Sequence, residues 1–132
     1  MQKALDAAVT AVRSRTAQAP DVGLILGSGL GALADEITDA VAIPFAEIPG
    51  FPPAAVAGHA GRLVIGRLEG VPCAALQGRF HMYEGHDAGA VALPARLLLA
   101  LGARVLIVTN AAGGINRGFT AGDLMLIDDH IN

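Results

Sequence analysis

The sequence predicts an α/β fold, a mixed and largely parallel central sheet flanked by helices, apparently truncated. Three short apolar runs, at residues 22–26, 71–76 and 104–108, are typical of strands buried on both faces of a sheet. Helical periodicity separates them, which is the alternation expected of an α/β domain. The chain has 132 residues, of which 53% are hydrophobic and 16% charged, enough for one domain with a substantial core.

The first half of the chain begins with a predicted amphipathic helix over about residues 2–18. Its apolar positions follow the i, i+3, i+4, i+7 pattern: Leu5, Ala8, Val9 and Val12. Pro20 and Asp21 end it, and the strand at 22–26 follows. A glycine loop at 27–31 then leads into a short helix to about Ile37.

The middle of the chain predicts an edge strand, a long loop and a hairpin. Residues 41–45 form the edge strand, because Pro44 cannot donate to a sheet ladder. Residues 46–61 are rich in proline and glycine and predict a long loop, a feature that is often functional. Strands at 62–68 and 71–76 flank Glu69-Gly70, a hairpin turn.

The last third predicts one more helix and two strands. Asp87 is the expected N-cap of a helix over 88–101, which Gly102 ends. Strands follow at 104–108 and at 124–127. The sequence stops directly after this last apolar segment, so we expect residues 1–132 to be the N-terminal portion of a single, longer domain.

Charge and composition exclude several partners. The net charge of −3 gives no basic field for nucleic acid or for anionic lipid, and no window has the apolar length of a membrane span. The N-terminus lacks the apolar core of a signal peptide. The single Cys73 lies within an apolar run, so a buried, reduced thiol in a cytoplasmic protein is the expected reading.

The segment 77–86, Gln-Gly-Arg-Phe-His-Met-Tyr-Glu-Gly-His, carries the most specific chemistry. Arg79 can hold two oxyanion oxygens in its planar fork, and His81 can donate a hydrogen bond or carry charge. In an extended segment Arg79, His81 and Tyr83 share one face, which suits an oxyanion pocket. The alternatives are an ordinary surface loop and a metal site at His81 and His86, although no matching ligand set accompanies these histidines.

The glycine loop 27–31, Gly-Ser-Gly-Leu-Gly, joins a strand to a helix. Its backbone N–H groups suit an anion, and Ser28 adds a hydroxyl donor. The loop also fits a dinucleotide fingerprint, with Glu47 near the expected distance for the ribose-binding carboxylate. A plain tight turn is the remaining alternative.

Two further loops complete the candidate site. His59 lies in Gly58-His59-Ala60-Gly61, where a structural role and a functional one are both open. The segment 110–114, Asn-Ala-Ala-Gly-Gly, follows the strand at 104–108. The carboxyl end of a strand is where open α/β sheets place their ligands.

Taken together, these segments resemble the trimeric purine nucleoside phosphorylases. Five stretches match in the order of the family: 26–31, 58–61, 77–85, 109–113 and 129–132. The resemblance implies reversible, phosphate-dependent cleavage of the N-glycosidic bond of a purine nucleoside, giving free base and (deoxy)ribose 1-phosphate. It implies a purine-nucleoside phosphorylase, a pentosyltransferase of purine salvage, that forms a homotrimer and needs no metal or organic cofactor.

The resemblance also assigns roles to residues. Phosphate would contact six positions: Ser28, His59, Arg79, Phe80, His81 and Ala111. The residues at the reacting centre would be His59, Arg79 and His81. The nucleoside would contact Tyr83, Asn110 and Ala112.

Members of this family are roughly twice as long as the chain, and the resemblance implies that their base-recognition residues fall in the half that these 132 residues lack. The alternative function is therefore a non-catalytic fragment that binds phosphate or a partner chain. A nicotinamide-dependent oxidoreductase, which rests on the glycine loop alone, leaves Arg79, His81 and Tyr83 without a role.

Overall fold

The computed structural model of the protein describes residues 2–27, 29–52 and 61–131. Two helices, α1 (Gln2–Arg15) and α2 (Ala88–Ala100), accompany a five-stranded sheet. The strands are β1 (Val22–Leu26), β2 (Thr38–Pro44), β3 (Arg62–Leu68), β4 (Val71–Gln77) and β5 (Val105–Val108). Short 3₁₀ helices cover Gly31–Glu36, Phe45–Glu47 and Met82–Glu84.

The sheet order is β2-β3-β4-β1-β5, which makes β1 an interior strand and β2 an edge strand, as Pro44 predicts. Strand β1 pairs in parallel with both β4 and β5, whereas β3 pairs antiparallel with both β2 and β4. The mixed sheet is confirmed, with its four pairings divided equally between the two directions. The β3–β4 pairing is antiparallel because a tight hairpin joins these two strands.

The hairpin turn has the backbone that the sequence predicts. Glu69 has φ 48° and Gly70 has φ 77°. Two consecutive residues with positive φ give the backbone twist of a primed turn, which matches the twist of the flanking strands. The register of β3 against β4 is therefore set locally.

Each face of the sheet is covered by its own apolar cluster. Helices α1 and α2 pack against the sheet with the larger cluster, which includes Val12, Leu97 and the β3 residues Leu63 and Ile65. The opposite face buries a smaller cluster around Ala34, in the 3₁₀ helix after the glycine loop. Cys73 is a free, buried thiol in this smaller cluster, as expected, and burial raises the pKa of that thiol.

Helix α1 ends at Arg15, three residues before the predicted end. Arg13 accounts for this boundary, since its guanidinium donates to the carbonyls of Gln18 and Leu101, at 2.7 Å each. The Arg13 side chain thus bonds to a backbone oxygen just after α1, that of Gln18, and to one at the C-terminus of α2, that of Leu101. The bond to Leu101 fixes α1 against the C-terminus of α2.

Both ends of α2 carry the predicted signals. The Asp87 carboxylate accepts a hydrogen bond from the Ala90 N–H at 2.8 Å, so Asp87 is the N-cap. At the other end Gly102 has φ 118°, and the N–H groups of Gly102 and Ala103 reach back to Leu99 and Leu98. This is a Schellman motif, which needs a left-handed residue where glycine stands.

The prediction of a strand at 124–127 is wrong. Residues 109–131 contain turns but no helix or strand, and Leu126 is 93% exposed. A strand requires a neighbour for its backbone N–H and C=O groups, and no described segment pairs with this one.

The strand at 104–108 is confirmed as β5, but the prediction that it is buried on both faces is wrong. Val105, Ile107 and Val108 are 53%, 47% and 60% exposed, because β5 is an edge strand that little else in the described residues covers.

No helix among the described residues has both the length and the apolar character needed to cross a bilayer.

Candidate active site

The carboxyl ends of β1, β4 and β5 meet at one end of the sheet, because these three strands run in the same direction. Gly27, directly after β1, donates its N–H to the Thr109 hydroxyl at 2.8 Å. Thr109, directly after β5, donates its N–H to the Ile25 carbonyl at 3.1 Å. A Cβ atom on Gly27 would lie 2.5 Å from the Thr109 carbonyl oxygen, so only glycine allows this approach.

Arg79 follows β4 and reaches this junction. Its Nη1 donates to the Thr109 carbonyl oxygen at 3.0 Å, and its Nε donates to His81 Nε2 at 3.0 Å. The side chain is half-buried. A guanidinium has five N–H donors, so these two bonds hold its plane and leave donors for an anion.

His81 lies between Arg79 and Glu84. Because Nε2 accepts from Arg79, the ring is neutral in this arrangement and its proton is assigned to Nδ1. Nδ1 lies 3.4 Å from the Glu84 carboxylate, and His86 Nε2 lies 3.6 Å from the same carboxylate. Nδ1 is buried and has no hydrogen-bond partner among the described residues, so the Arg79 contact at Nε2 is the hydrogen bond that holds this ring.

The Glu84 carboxylate is itself fixed by the backbone. It accepts a hydrogen bond from the His81 N–H at 2.9 Å, and this bond is the main cause that holds the pKa of Glu84 below its ordinary value. The neighbouring imidazoles act in the same direction. The ionised form of Glu84 is thus favoured where it faces two histidines.

The alternative of a metal at His81 and His86 has no support in this geometry. No group of three or more His, Cys, Asp or Glu residues among the described residues could hold a metal ion. The Glu84 carboxylate lies beside both rings instead, 3.4 Å from His81 Nδ1 and 3.6 Å from His86 Nε2.

Tyr83 is placed differently from the prediction that it shares an inward face with Arg79 and His81. Its ring stacks on the His81 ring, with centroids 4.6 Å apart and planes 18° apart, and the residue is 82% exposed. The 3₁₀ helix Met82–Glu84 breaks the two-residue alternation of an extended segment. The phenol therefore covers His81 from the solvent side.

Phe80 points away from this site. Its ring lies 5.4 Å from both Phe45 and Phe51 in an aromatic cluster that belongs to the core, and it is buried. Only the backbone of Phe80 is left for a phosphate contact. The three aromatic rings also anchor the segment that carries Arg79 and His81, since Phe80 lies between them in the chain.

Asn110, Ala111 and Ala112 follow Thr109 in an irregular, exposed stretch. The Asn110 amide donates to the Ala111 carbonyl at 3.4 Å. These residues adjoin the Arg79–Thr109 junction, as the motif position predicts. The predicted contributions of Ser28 and His59 lie outside the described residues.

The dinucleotide alternative fails on topology. A ribose-binding carboxylate should end a parallel strand beside β1, but the strand that precedes Glu47 is the antiparallel edge strand β2. Glu47 forms a salt bridge with Arg15 of α1 instead.

Sequence reasoning missed Gln77, the last residue of β4. Its amide is 9% exposed, donates to the Gly31 carbonyl at 2.8 Å and accepts from Arg62 Nε at 2.6 Å. Arg62 in turn contacts Asp35 at 2.6 Å. The available signal was a polar residue that ends a strand otherwise buried on both faces.

The arrangement is an α/β sheet whose strand ends gather a half-buried arginine, the histidine that accepts a hydrogen bond from it and a close glycine turn, and the unused arginine donors suit an oxyanion. The family model of the Phosphorylase superfamily matches residues 21–132, and the chain belongs to this family.

Curated relatives and solved structures agree with this membership. The chain is 54% identical to purine nucleoside phosphorylase 1 of Geobacillus stearothermophilus, over 98% of this chain and 47% of that protein. It is 53% identical to purine nucleoside phosphorylase 1 of Bacillus subtilis, over 100% of this chain and 49% of that protein. The chain therefore spans about half the length of the relatives it matches.

Two of the similar solved structures are complexes with ligands. The Schistosoma mansoni purine nucleoside phosphorylase in complex with inosine superposes with a TM-score of 0.82 at 43% identity, over 92% of this chain and 42% of that one. A purine nucleoside phosphorylase in complex with ribose-1-phosphate gives a TM-score of 0.84 at 45% identity, over 92% and 44%. The fold class is thereby confirmed.

Proposed function

We propose that this chain supplies the phosphate-binding part of a purine-nucleoside phosphorylase. The reaction is reversible transfer of a pentosyl group from a purine base to inorganic phosphate, which gives the free base and (deoxy)ribose 1-phosphate. The observation that carries the proposal is the Arg79–His81 pair held against the Thr109 carbonyl at the carboxyl ends of the strands. Relatives named purine nucleoside phosphorylase support it, over nearly the whole of this chain.

The electrostatics of the site suit a phosphate dianion. Arg79 brings a permanent positive charge and unused N–H donors, and His81 brings a ring that becomes a second donor when its Nε2 carries a proton. In the structure Nε2 accepts from Arg79. Phosphate binding therefore exchanges the Arg79–His81 bond for contacts from both groups to the anion.

The chemistry then depends on position rather than on proton transfer. As the N-glycosidic bond breaks, the sugar develops an oxocarbenium-like charge, and a phosphate fixed on its α face both stabilises that charge and attacks the anomeric carbon. Groups that hold the phosphate in place lower the barrier by orientation and by electrostatic preorganisation. Arg79 and His81 have this role, with Ser28, His59, Ala111 and the Phe80 backbone as the further phosphate contacts we propose.

The nucleoside side of the site is assigned to Tyr83, Asn110 and Ala112. Tyr83 offers an exposed phenol above His81, which suits a hydroxyl-bearing sugar. Asn110 has an amide that is exposed beside the Arg79–Thr109 junction.

We further propose that residues 1–132 are the N-terminal portion of a single domain, that the assembly is a homotrimer, and that inorganic phosphate is the co-substrate with no metal or organic cofactor. A cytoplasmic location suits the free Cys73.

The test is phosphate-dependent release of hypoxanthine from inosine by the purified protein. Arg79→Ala should raise the KM for phosphate much more than the KM for inosine, because the guanidinium faces the anion. Arg104→Ala is the matched control, since Arg104 precedes β5 at the opposite end of the sheet and is largely exposed beside Asp21. Equal losses for both substrates in Arg79→Ala would contradict the assignment.

The second candidate function is a non-catalytic fragment that binds phosphate. The length of the chain favours this function, because the chain spans about half the length of its relatives. The same assay separates the two functions, because a fragment of this kind binds phosphate without releasing base.

A further inference from the structure

The Gln77 side chain connects the end of β4 to the glycine loop and to the start of β3. Among the described residues it is the one buried polar side chain. Its Nε2 donates to the Gly31 carbonyl at 2.8 Å, which fixes the last residue of the glycine loop. Its Oε1 accepts from Arg62 Nε at 2.6 Å, at the first residue of β3.

The backbone of Gln77 adds two further connections. Its carbonyl accepts from the Gly61 N–H at 3.1 Å, where the long proline- and glycine-rich loop returns to the sheet. In the sheet, Gln77 pairs with Leu26 of β1, directly before the glycine loop. Arg79 then follows Gln77 by two positions along the chain.

The orientation of the amide is fixed by its two partners. The reversed amide would direct N–H groups at the Arg62 guanidinium and an oxygen at the Gly31 carbonyl, so both contacts would become repulsive. A buried amide with both ends satisfied therefore has one arrangement. Arg62 extends this order, because its Nη2 contacts Asp35 in the 3₁₀ helix that follows the glycine loop.

We propose that Gln77 is a positioning residue for phosphate, one that sets the glycine loop relative to the Arg79–His81 segment. This inference rests on the proposed function. The glycine loop is attached to β4 at Gly31 through Gln77, and at Asp35 through Arg62. Donors from the loop and from Arg79 can bind the same anion only while these hydrogen bonds hold the two segments in their relative positions.

The experiment measures binding of inorganic phosphate to the purified protein by isothermal titration calorimetry. Gln77→Ala is the principal variant, because it is neutral and removes both contacts. Gln77→Glu keeps the size of the side chain and an acceptor for Arg62 but has no donor for the Gly31 carbonyl. Gln18→Ala is the matched control, since the Gln18 amide also donates to a backbone carbonyl, that of Asp39 at 3.0 Å, away from the site.

We expect the neutral Gln77→Ala to weaken phosphate binding about tenfold with unchanged stoichiometry, the effect of losing buried hydrogen bonds that order the site. Gln77→Glu should weaken it at least as much, because its carboxylate also repels the Gly31 carbonyl and the anion. The Gln18→Ala control should bind as the wild type does. A lower stoichiometry with an unchanged dissociation constant would mean that Gln77 only supports folding, and would overturn the inference.

The outcome also separates this inference from the proposed function. Wild-type binding that Arg79→Ala abolishes and Gln77→Ala leaves unchanged would refute the role of Gln77 alone. No phosphate binding by the wild type would refute the proposed phosphate site, and the role of Gln77 with it.

Discussion

Substitution of Gly27 by alanine tests the junction between β1 and β5. The new Cβ would lie 2.5 Å from the Thr109 carbonyl oxygen and 3.1 Å from the Asn110 Cα atom. Ordinary van der Waals contact begins near 3.4 Å, so the two strand ends must separate by about 0.9 Å. The obstructing atoms belong to the backbone, which cannot turn aside as a side chain does.

The cost follows from the bonds at this junction. Overpacking of a tight site costs about 1–3 kcal/mol. The separation also stretches the Gly27 N–H to Thr109 hydroxyl bond and the Arg79 to Thr109 carbonyl bond, and a lost hydrogen bond costs about 1 kcal/mol. Alanine also lowers the conformational entropy of the unfolded chain, which stabilises the folded state by about 0.4–1 kcal/mol. We expect a net loss of about 2–4 kcal/mol in the free energy of unfolding.

The assay is urea unfolding followed by far-ultraviolet circular dichroism, with stability taken from the linear extrapolation. Gly113→Ala is the control, because a Cβ there meets no atom within 4 Å, and its stability should stay within about 0.5 kcal/mol of the wild type. If Gly27→Ala were as stable as Gly113→Ala, the close approach of β1 and β5 would be refuted.

Two further substitutions test the elements beside the site. The folded-state pKa of Glu84 lies below the ordinary carboxyl value of about 4.3, so its contribution to stability is complete above that value and is lost as the pH falls through the lower, folded-state pKa. Glu84→Gln should therefore show a shallower fall in unfolding free energy on acidification than the wild type, and parallel curves would contradict this. Asp87→Ala removes the N-cap of α2 and should cost about 1 kcal/mol in thermal unfolding, whereas Asp87→Asn keeps an acceptor and should cost less. Equal losses in the two Asp87 variants would show that the cap bond does not stabilise α2.

The fold was predictable where its signals are local. The hairpin at Glu69-Gly70 and the cap at Asp87 each depend on a few neighbouring residues, and both lie where the sequence predicts them. The strand at 124–127 was wrong because pairing depends on a distant neighbour, which a short apolar run does not reveal. The pairing of the edge strand β2 with β3 likewise has no local signal in the sequence.

The candidate site was predictable in its residue types but not in its contacts. Arg79 and His81 stand out by residue type, yet the hydrogen bond from Arg79 to Thr109 involves a main-chain oxygen, which has no sequence signature. The helical turn at Met82–Glu84 sends Tyr83 outward, although two-residue alternation placed it with its neighbours. Gln77 was overlooked because the sequence does not show which groups a single amide at the end of an apolar strand will bond to.

The interior position of β1 has a consequence for how the chain reaches its structure. Val22 pairs with Cys73 on one side and with Val105 on the other, so β1 emerges during synthesis long before either neighbour exists. The β3–β4 hairpin closes a short loop and can form early, whereas β1 must wait for partners that are distant in the chain. Folding should therefore proceed from the hairpin toward β5, and the end of the sheet that gathers Gly27, Arg79 and Thr109 should be the last part to be ordered.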